Sequence, residues 1–308
     1  MLRFWLVKLL RASITLWLVV TAVFIVLRTS GDPVQSLLPP DARQEEIEQF
    51  REAWGLDRPL TEQYAQYIVN VATGDFGKSY RDGRQVSTII AERVPWTLML
   101  GLTSYAVAVL LGVPLGIWAA IRRNTFVDRL IMSFAVMGFA LPNFFFGILL
   151  ILLFSLSLRM LPSSGTGTWM HMIMPAATLG LATAGALARF TRSAMLEVLG
   201  KVYLRAAAAK GVSFRDRILR HAVPNAAIPV VTVMGLNLGH LVGGAIVVET
   251  VFAWPGVGRL LVSSVSSRDL AVVQALVLMI ACTMVAANLI VDLLYGVLDP
   301  RIRIAAKD

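Results

Sequence analysis

Residues Arg189–Pro229 read RFTRSAMLEVLGKVYLRAAAAKGVSFRDRILRHAVPNAAIP and lie between two long apolar runs. Val202–Lys210 is alanine-rich, a composition that favours a helix. Gly211 follows at the position where a left-handed residue stops one. Ser213 caps a second helix, with Asp216 three residues on as its capping-box partner. Phe214, Ile218, Leu219 and Ala222 give that second helix an apolar side, and Pro224 disturbs or ends it. The pattern predicts a helix–glycine–helix elbow. Small alanines let its backbone approach another surface closely, and eight basic residues fall within Arg189–His221. Two readings stay open at this level. The elbow is an ordinary basic interior loop, or it is a coupling element seated in another subunit.

The runs on either side place it at a membrane. The chain has 308 residues, 57% hydrophobic and 15% charged, with a mean hydropathy of +0.71. A soluble domain carries about 25% charged residues. A bilayer core about 30 Å thick needs about 20 apolar residues per helix. Six segments qualify: 4–27, 96–121, 130–158, 169–188, 222–248 and 270–298. The first is not read as a cleaved leader, because five more spans follow it. Pro114 and Pro142 fall inside spans two and three, where freed backbone groups need a neighbour or a cavity.

Lys and Arg set the orientation. With both termini cytoplasmic, the interior segments hold 17 basic residues in 62 positions and the opposite side 11 in 97. The long outer segment 28–93 carries 11 acids against eight bases. Topology therefore accounts for the net charge of +9, and nucleic acid is not an expected partner. One cysteine, Cys282, and three scattered histidines offer no metal-ligand spacing. No catalytic constellation is present, so no catalytic or metal residue is assigned.

Within the outer segment, Gly74–Tyr80 reads GDFGKSY, which contains fragments of a kinase metal triplet and of a phosphate-binding loop. The second reading fails because the P-loop spacing requires glycine at position 72, which is Ala72. The first fails because no catalytic loop or lysine-bearing strand accompanies it. The segment reads instead as folded. One helix covers 41–53, and a second starts after Pro59 and ends at Gly74, with Leu60, Tyr64, Tyr67, Ile68 and Val71 on one face. A third, Val86–Arg93, is expected along the membrane surface. It is either a solvated cap or a docking surface for an external partner.

Candidate pathway residues are Asn237, His240 and Gly244, which share one face of span five, and Glu249 at the outer mouth. Polar groups at membrane depth face the bundle interior, so they line the path or pack helices; an interfacial acid is the plainer reading of Glu249. Asp292 is an intramembrane acid that needs a partner, and Arg189 or Arg192 is expected to form a structural ion pair with it. An ATP-independent secondary transporter or channel is the alternative class, but no internal repeat supports it.

In sequence order, further short motifs are Gly31-Asp32-Pro33, Gly55-Leu56-Asp57-Arg58-Pro59-Leu60, Gly74-Asp75-Phe76-Gly77, Leu161-Pro162 and Thr191-Arg192-Ser193-Ala194-Met195-Leu196-Glu197. Glu249-Thr250-Val251-Phe252, Trp254-Pro255-Gly256, Arg268-Asp269 and Asp299-Pro300-Arg301-Ile302-Arg303 complete the series. With the elbow, these resemble the permeases of binding-protein-dependent ATP-binding-cassette importers, closest to the dipeptide/oligopeptide/nickel permease family. The resemblance covers nearly the whole chain. It implies an all-α polytopic membrane protein with six transmembrane helices of the type I importer permease fold. The expected parts are a first helix at 1–27, a folded periplasmic loop at 28–93, a five-helix core at 94–298 containing a coupling loop at 189–225, and a cytoplasmic tail at 299–308.

The resemblance also implies a heterodimeric sister permease, two cytoplasmic ATPase subunits, a periplasmic solute-binding protein and surrounding lipid. ATP and Mg belong to the ATPases, and this chain binds no cofactor. The ATPase-coupling residues it implies are Arg205, Ala206, Ala207, Lys210, Gly211, Val212, Ser213, Phe214 and Arg215. Trp254-Pro255-Gly256 and the stretch to Ser267 resemble an outer re-entrant segment. The coupling loop departs from the family pattern at Val202, Ala206 and Ala208, where the family carries Asp, Thr and Arg. Pro224 also departs from the peptide branch. The implied location is the bacterial inner membrane, and the implied substrate is a dipeptide or short peptide. Glutathione, opines, nickel chelates and sugars are the alternatives within the family.

Overall fold

A computed structural model describes residues 2–29, 42–53, 55–238 and 245–298. Side chains at 2–5, 27, 53, 139, 236–238 and 290–298 are outside that description. All of the regular elements described are helical. Four helices, Leu6–Val26, Val86–Ile121, Met170–Leu199 and Leu270–Leu289, are long and apolar enough to cross a membrane. A bent pair over 126–157 makes a fifth if it is one span. The expected span at 222–248 includes residues 239–244, which are outside the described residues, as is the tail 299–308.

The chain divides into two units. The first comprises Met1–Thr97 and Pro255–Leu289, and the second is built on Leu98–Trp254. In the first unit, α1 (Leu2–Thr29) is followed by α2 (Gln44–Ala53) and α3 (Leu60–Thr73). Local signals delimit α3. Pro59 stands at its N-cap, and Gly74 adopts φ 75°, while the Asp75 N–H bonds back to Asn70 O at 2.9 Å. Aromatic packing ties α3 to α1. Phe24 meets Tyr64 edge-on at 5.3 Å and stacks on Tyr67 at 5.7 Å, and the Tyr64 and Thr21 hydroxyls are 2.7 Å apart.

The GDFGKSY stretch then acts as a staple. The Gly77 N–H donates to Asp75 Oδ1 at 2.9 Å, and the Val86 N–H returns to Gly77 O at 3.0 Å. That loop buries Ser79, whose hydroxyl donates to Asp269 Oδ2 at 2.5 Å, and the Tyr80 N–H donates to Oδ1 at 3.2 Å. Asp269 heads α12 (Leu270–Leu298), its carbonyl accepting the Val273 N–H at 3.0 Å. A stretch with two nucleotide-site look-alikes thus pins the start of a long apolar helix.

The separate surface helix expected at Val86–Arg93 does not form. α4 runs unbroken through Val86–Ile121, 36 residues, and carries Pro95 inside it. At 1.5 Å per residue this is roughly 54 Å, longer than an apolar core needs. Burial explains the fusion. Val86 and Ile89 form one apolar cluster with Val257, Val272, Ala275 and Leu276, so the first turns of α4 bury their apolar face in protein rather than on lipid. Val257 opens α11 (Val257–Ser266), and its N–H donates to Thr97 Oγ1 at 2.8 Å. At ten residues α11 is too short to span a bilayer.

In the second unit, span three is not one straight helix. α5 (Phe126–Ala140) ends where Leu141 turns extended at ψ 127°, as a residue before proline prefers. Pro142 then opens α6 (Asn143–Leu150), which winds on as a π-helical turn, Ile151–Ser157. The two halves are bent by 105°. α7 (Met170–Leu199) packs against α4 and α5 through glycines. Gly112 and Gly116 of α4 face the Ala184 and Ala188 backbone, and Gly185 of α7 faces the Ala135 backbone of α5. Membrane helices approach closely where small residues repeat in this way.

Candidate functional site

The elbow grows from the end of α7. α8 (Val202–Ala209) follows after Gly200 and Lys201. Its stop works as the sequence implies: Gly211 adopts φ 79°, its N–H bonds to Ala208 O, and the Val212 N–H reaches Ala207 O at 3.1 Å. The next helix starts with the expected cap. The Asp216 N–H donates to Ser213 Oγ at 3.1 Å, and the Ser213 hydroxyl donates to Asp216 Oδ2 at 2.7 Å.

Pro224 disturbs this helix without ending it, the milder of the two outcomes expected from the sequence. The turn Phe214–Asp216 passes into a π-helical segment, Arg217–Ala222, and then into α9 (Val223–Leu238). The widened π turn accommodates the missing proline N–H, an adjustment that helices make at such sites. The elbow is therefore continuous with α9 on one side and joined to α7 through Gly200 and Lys201 on the other.

One buried seam holds it. Leu204 and Ile218 are each 5% exposed, and with Ala222 they join Leu187, Ala194 and Met195 of α7 and Ala120 of α4 in one apolar cluster. The opposite face is open. Arg205, Ala206, Lys210, Gly211, Ser213, Phe214 and Arg215 are exposed, while Ala207 and Val212 are partly covered. Large apolar side chains share that face: Val202, Tyr203, Phe214 and Leu219 are all exposed. Arg217 lies over the Phe214 ring at 5.6 Å. A seated backbone, exposed apolar residues and a basic rim suit a protein partner better than solvent.

Sequence reasoning missed the clamp beneath the elbow. Arg192 of α7 makes a two-pronged pair with Asp128, Nε to Oδ1 at 2.6 Å and Nη2 to Oδ2 at 2.7 Å. Asp128 is buried, and its Oδ2 also accepts the Asn124 N–H at 2.9 Å, where Asn124 has φ 64°. Arg189 or Arg192 is the partner expected for Asp292 from the sequence, and in the structure Arg192 engages Asp128. The Asp292 side chain lies outside the described residues, and Arg189 has an interaction of its own. The spacing of Thr125 and Asp128 carried a usable signal, since Thr125 caps α5 through the Asp128 N–H.

Of the pathway candidates, His240 and Gly244 lie outside the described residues, and so does the Asn237 side chain. Glu249 is fully buried in α10 (Ile246–Val251), and its carbonyl accepts the Trp254 N–H at 2.8 Å. Neighbours cover the whole side chain. The second unit also holds a cavity of about 570 Å³, lined by apolar residues such as Leu111, Trp118, Phe134 and Leu181. Those walls suit hydrocarbon, not a charged solute. Among the described residues no cluster of His, Cys, Asp or Glu is arranged to hold a metal.

The family model of the binding-protein-dependent transport system inner membrane component matches residues 112–304, and that of the N-terminal membrane component matches 1–101. The chain is 47% identical over 304 residues to the glutathione transport system permease protein GsiC of Salmonella paratyphi A, covering 98% of this chain and 99% of that protein. It is 46% identical over the same length to GsiC of Escherichia coli K12. Among solved structures, it resembles the inward-facing MetNI methionine ABC transporter at TM-score 0.57 and 16% identity, over 68% of this chain and 96% of that one. An amino acid ABC transporter with histidines superposes at TM-score 0.54 and 12% identity, over 68% and 93%. These structural likenesses bear on fold alone.

Proposed function

The chain belongs to the binding-protein-dependent transport system inner membrane component family, and on that premise we propose that it is the permease half of an ATP-driven importer of short peptides. The observation that carries the reading is the elbow. Its inner side is locked to two long helices through Leu204 and Ile218, while its outer side offers exposed apolar and basic residues. Force applied there would reach α7 and α9 through that buried apolar cluster. Partner ATPases closing on ATP would move Arg205–Arg215 as a block and switch the path between outward and inward access. This chain does no bond chemistry; ATP and Mg stay on the ATPases.

The full assembly in this proposal has a sister permease, two ATPases and an external binding protein. Both termini of a six-span chain face the cytoplasm, and the 28–93 segment faces outward. Glutathione, itself a tripeptide, is the first solute to test, because the relatives at 46–47% identity over 98% of the chain are named for it. Dipeptides come next, and opines, nickel chelates and sugars are the remaining alternatives. Proteoliposomes carrying the assembly supply the test. Gly211→Val forces a β-branched residue into the left-handed region that suits glycine. It is expected to leave ATP hydrolysis measurable while peptide uptake falls at least tenfold. Unchanged uptake at normal assembly would refute the coupling role.

A further inference from the structure

The apolar cavity of the second unit has walls and an edge that together define an occupant. α4 and α5 both pack on α7, α4 through Gly112 and Gly116 and α5 through Ala135. The cavity of about 570 Å³ lies between them. Leu111, Leu115 and Trp118 of α4 form one wall, Leu130 and Phe134 of α5 the other, and Ala182 and Gly185 of α7 the floor. The walls stay open on the side away from α7, where Trp118 is 50% exposed and Phe134 63%. The space is therefore an open apolar groove, of the size of known small-molecule sites, about 300–1,000 Å³.

One end of the groove is basic. The Arg122 N–H donates to Trp118 O at 3.0 Å, so the winding of α4 carries on to Arg122. That places Arg122 on the same stripe as Leu111, Leu115 and Trp118. Arg122 and Arg123 are exposed, and among the described residues no ion pair engages either. The acid of this loop region, Asp128, is already taken by both prongs of Arg192. Trp118 sits one turn from Arg122, as aromatic rings do where hydrocarbon gives way to headgroups. Leu111 and Arg122 are 11 positions apart, roughly 16 Å along the helix. That is about half of a bilayer core about 30 Å thick, so the groove runs the depth of one leaflet.

A helix from another subunit is the competing occupant. Membrane helices meet through small residues, and the glycines here are already spent inside the unit. Gly112 and Gly116 face α7, Gly138 faces the Leu181 carbonyl, and Gly185 faces Ala135. The side chains left facing outward are bulky, and a helix gives no reason for unpaired arginines at the end of the groove. A molecule with a flexible apolar chain and a negative head fits the walls, the length and the charge together. We propose that this groove binds an anionic phospholipid of the leaflet on the elbow's side. One acyl chain lies along Trp118 and Leu111, and the phosphate lies on Arg122 and Arg123. The proposal rests on the reading of the chain as a membrane permease, but not on which solute it imports.

The test uses the full chain in phosphatidylcholine nanodiscs, with the subunits that accompany it and without ATP. Brominated phosphatidylglycerol or brominated phosphatidylcholine replaces the bulk lipid at graded mole fractions. Bromine quenches tryptophan fluorescence on contact, and the share of Trp118 is the difference between wild type and Trp118→Phe. Half-maximal quenching of that share is expected at an about fivefold lower fraction of phosphatidylglycerol than of phosphatidylcholine, the worth of one basic residue at a charged surface. Arg122→Gln combined with Arg123→Gln should abolish this preference while Trp118 remains quenched. Ala182→Leu, which fills the floor, should weaken the preference with both arginines in place. Equal quenching by the two lipids in wild type overturns the anionic site. A preference that survives the arginine substitutions places the phosphate elsewhere, and one that survives Ala182→Leu places the chain outside the groove; either overturns the proposal. Trp118 quenched by neither lipid means that another subunit covers the groove, which overturns it as well. Because uptake is not measured, failure here leaves the importer reading untouched, and failed uptake leaves the lipid site untouched.

Discussion

Replacing Gly116 by alanine tests the packing that carries the elbow. A Cβ at this position would sit 2.5 Å from the Ala188 carbonyl oxygen and 2.7 Å from Thr191 Cβ. Comfortable contact begins near ~3.5 Å, so the shortfall is about 1 Å. Both obstacles belong to α7, two of whose turns would have to move away from α4. Neither is the far end of a flexible side chain, so the strain cannot relax locally. Overpacking of this kind costs about 1–3 kcal/mol. At about 2–4 °C per kcal/mol for a chain of this size class, the melting temperature in nanodiscs should fall by roughly 2–12 °C. Gly200→Ala is the control, because its nearest neighbour would be 3.5 Å away and its φ is −78°. It should be neutral or slightly stabilising. If Gly116→Ala melts with wild type and Gly200→Ala, then α4 and α7 do not pack as described.

Ser79→Ala strips the buried Asp269 carboxylate of its hydroxyl partner, and a loss of about 1.5–3 kcal/mol is expected; hydrogen exchange should rise in the first turn of α12 and not in α8. Tyr67 supplies a pH signature. Burial, and then proximity to Tyr64, pushes its hydroxyl up to about 12. Stability from the neutral phenol is fully present below the unfolded value near ~10 and is lost as pH rises toward that folded value. Burial also raises Tyr80, so absorbance titration should show more than one late phenolate, and Tyr67→Phe should remove one tyrosine's worth of the late amplitude; an unchanged late amplitude would refute the assignment. Arg192→Lys keeps the charge but loses the two-pronged geometry to Asp128. The variant should lower uptake and stability together, whereas Arg189→Lys should leave the Asp128 contact intact.

The parts of the molecule legible in sequence are those that local chemistry decides. Gly74 and Gly211 stop helices at positive φ, and Ser213 with Asp216 starts one. Apolar length identified the long helices for the same reason. Contacts between distant residues left no local trace. Asp128 and Arg192 are 64 positions apart, and Ser79 and Asp269 are 190 apart. Proline had an ambiguous meaning. Pro142 breaks its span because Leu141 turns extended, whereas Pro95 stays within α4 and Pro224 is absorbed by a π turn. Only the packing around each proline separates these outcomes. The exposed face of the elbow was legible as a candidate surface, but its buried seam was not, because Leu204 and Ile218 find their partners on other helices.

ATP-driven uptake tests the central claim most directly. Proteoliposomes containing the permease pair and binding protein, loaded with ATP and Mg, would be supplied with labelled glutathione or dipeptide, with and without the ATPase subunits. The account predicts accumulation only when the ATPases and ATP are both present, and its loss in Gly211→Val. Accumulation that continues without ATPases, driven by an ion gradient or by the solute alone, would contradict it.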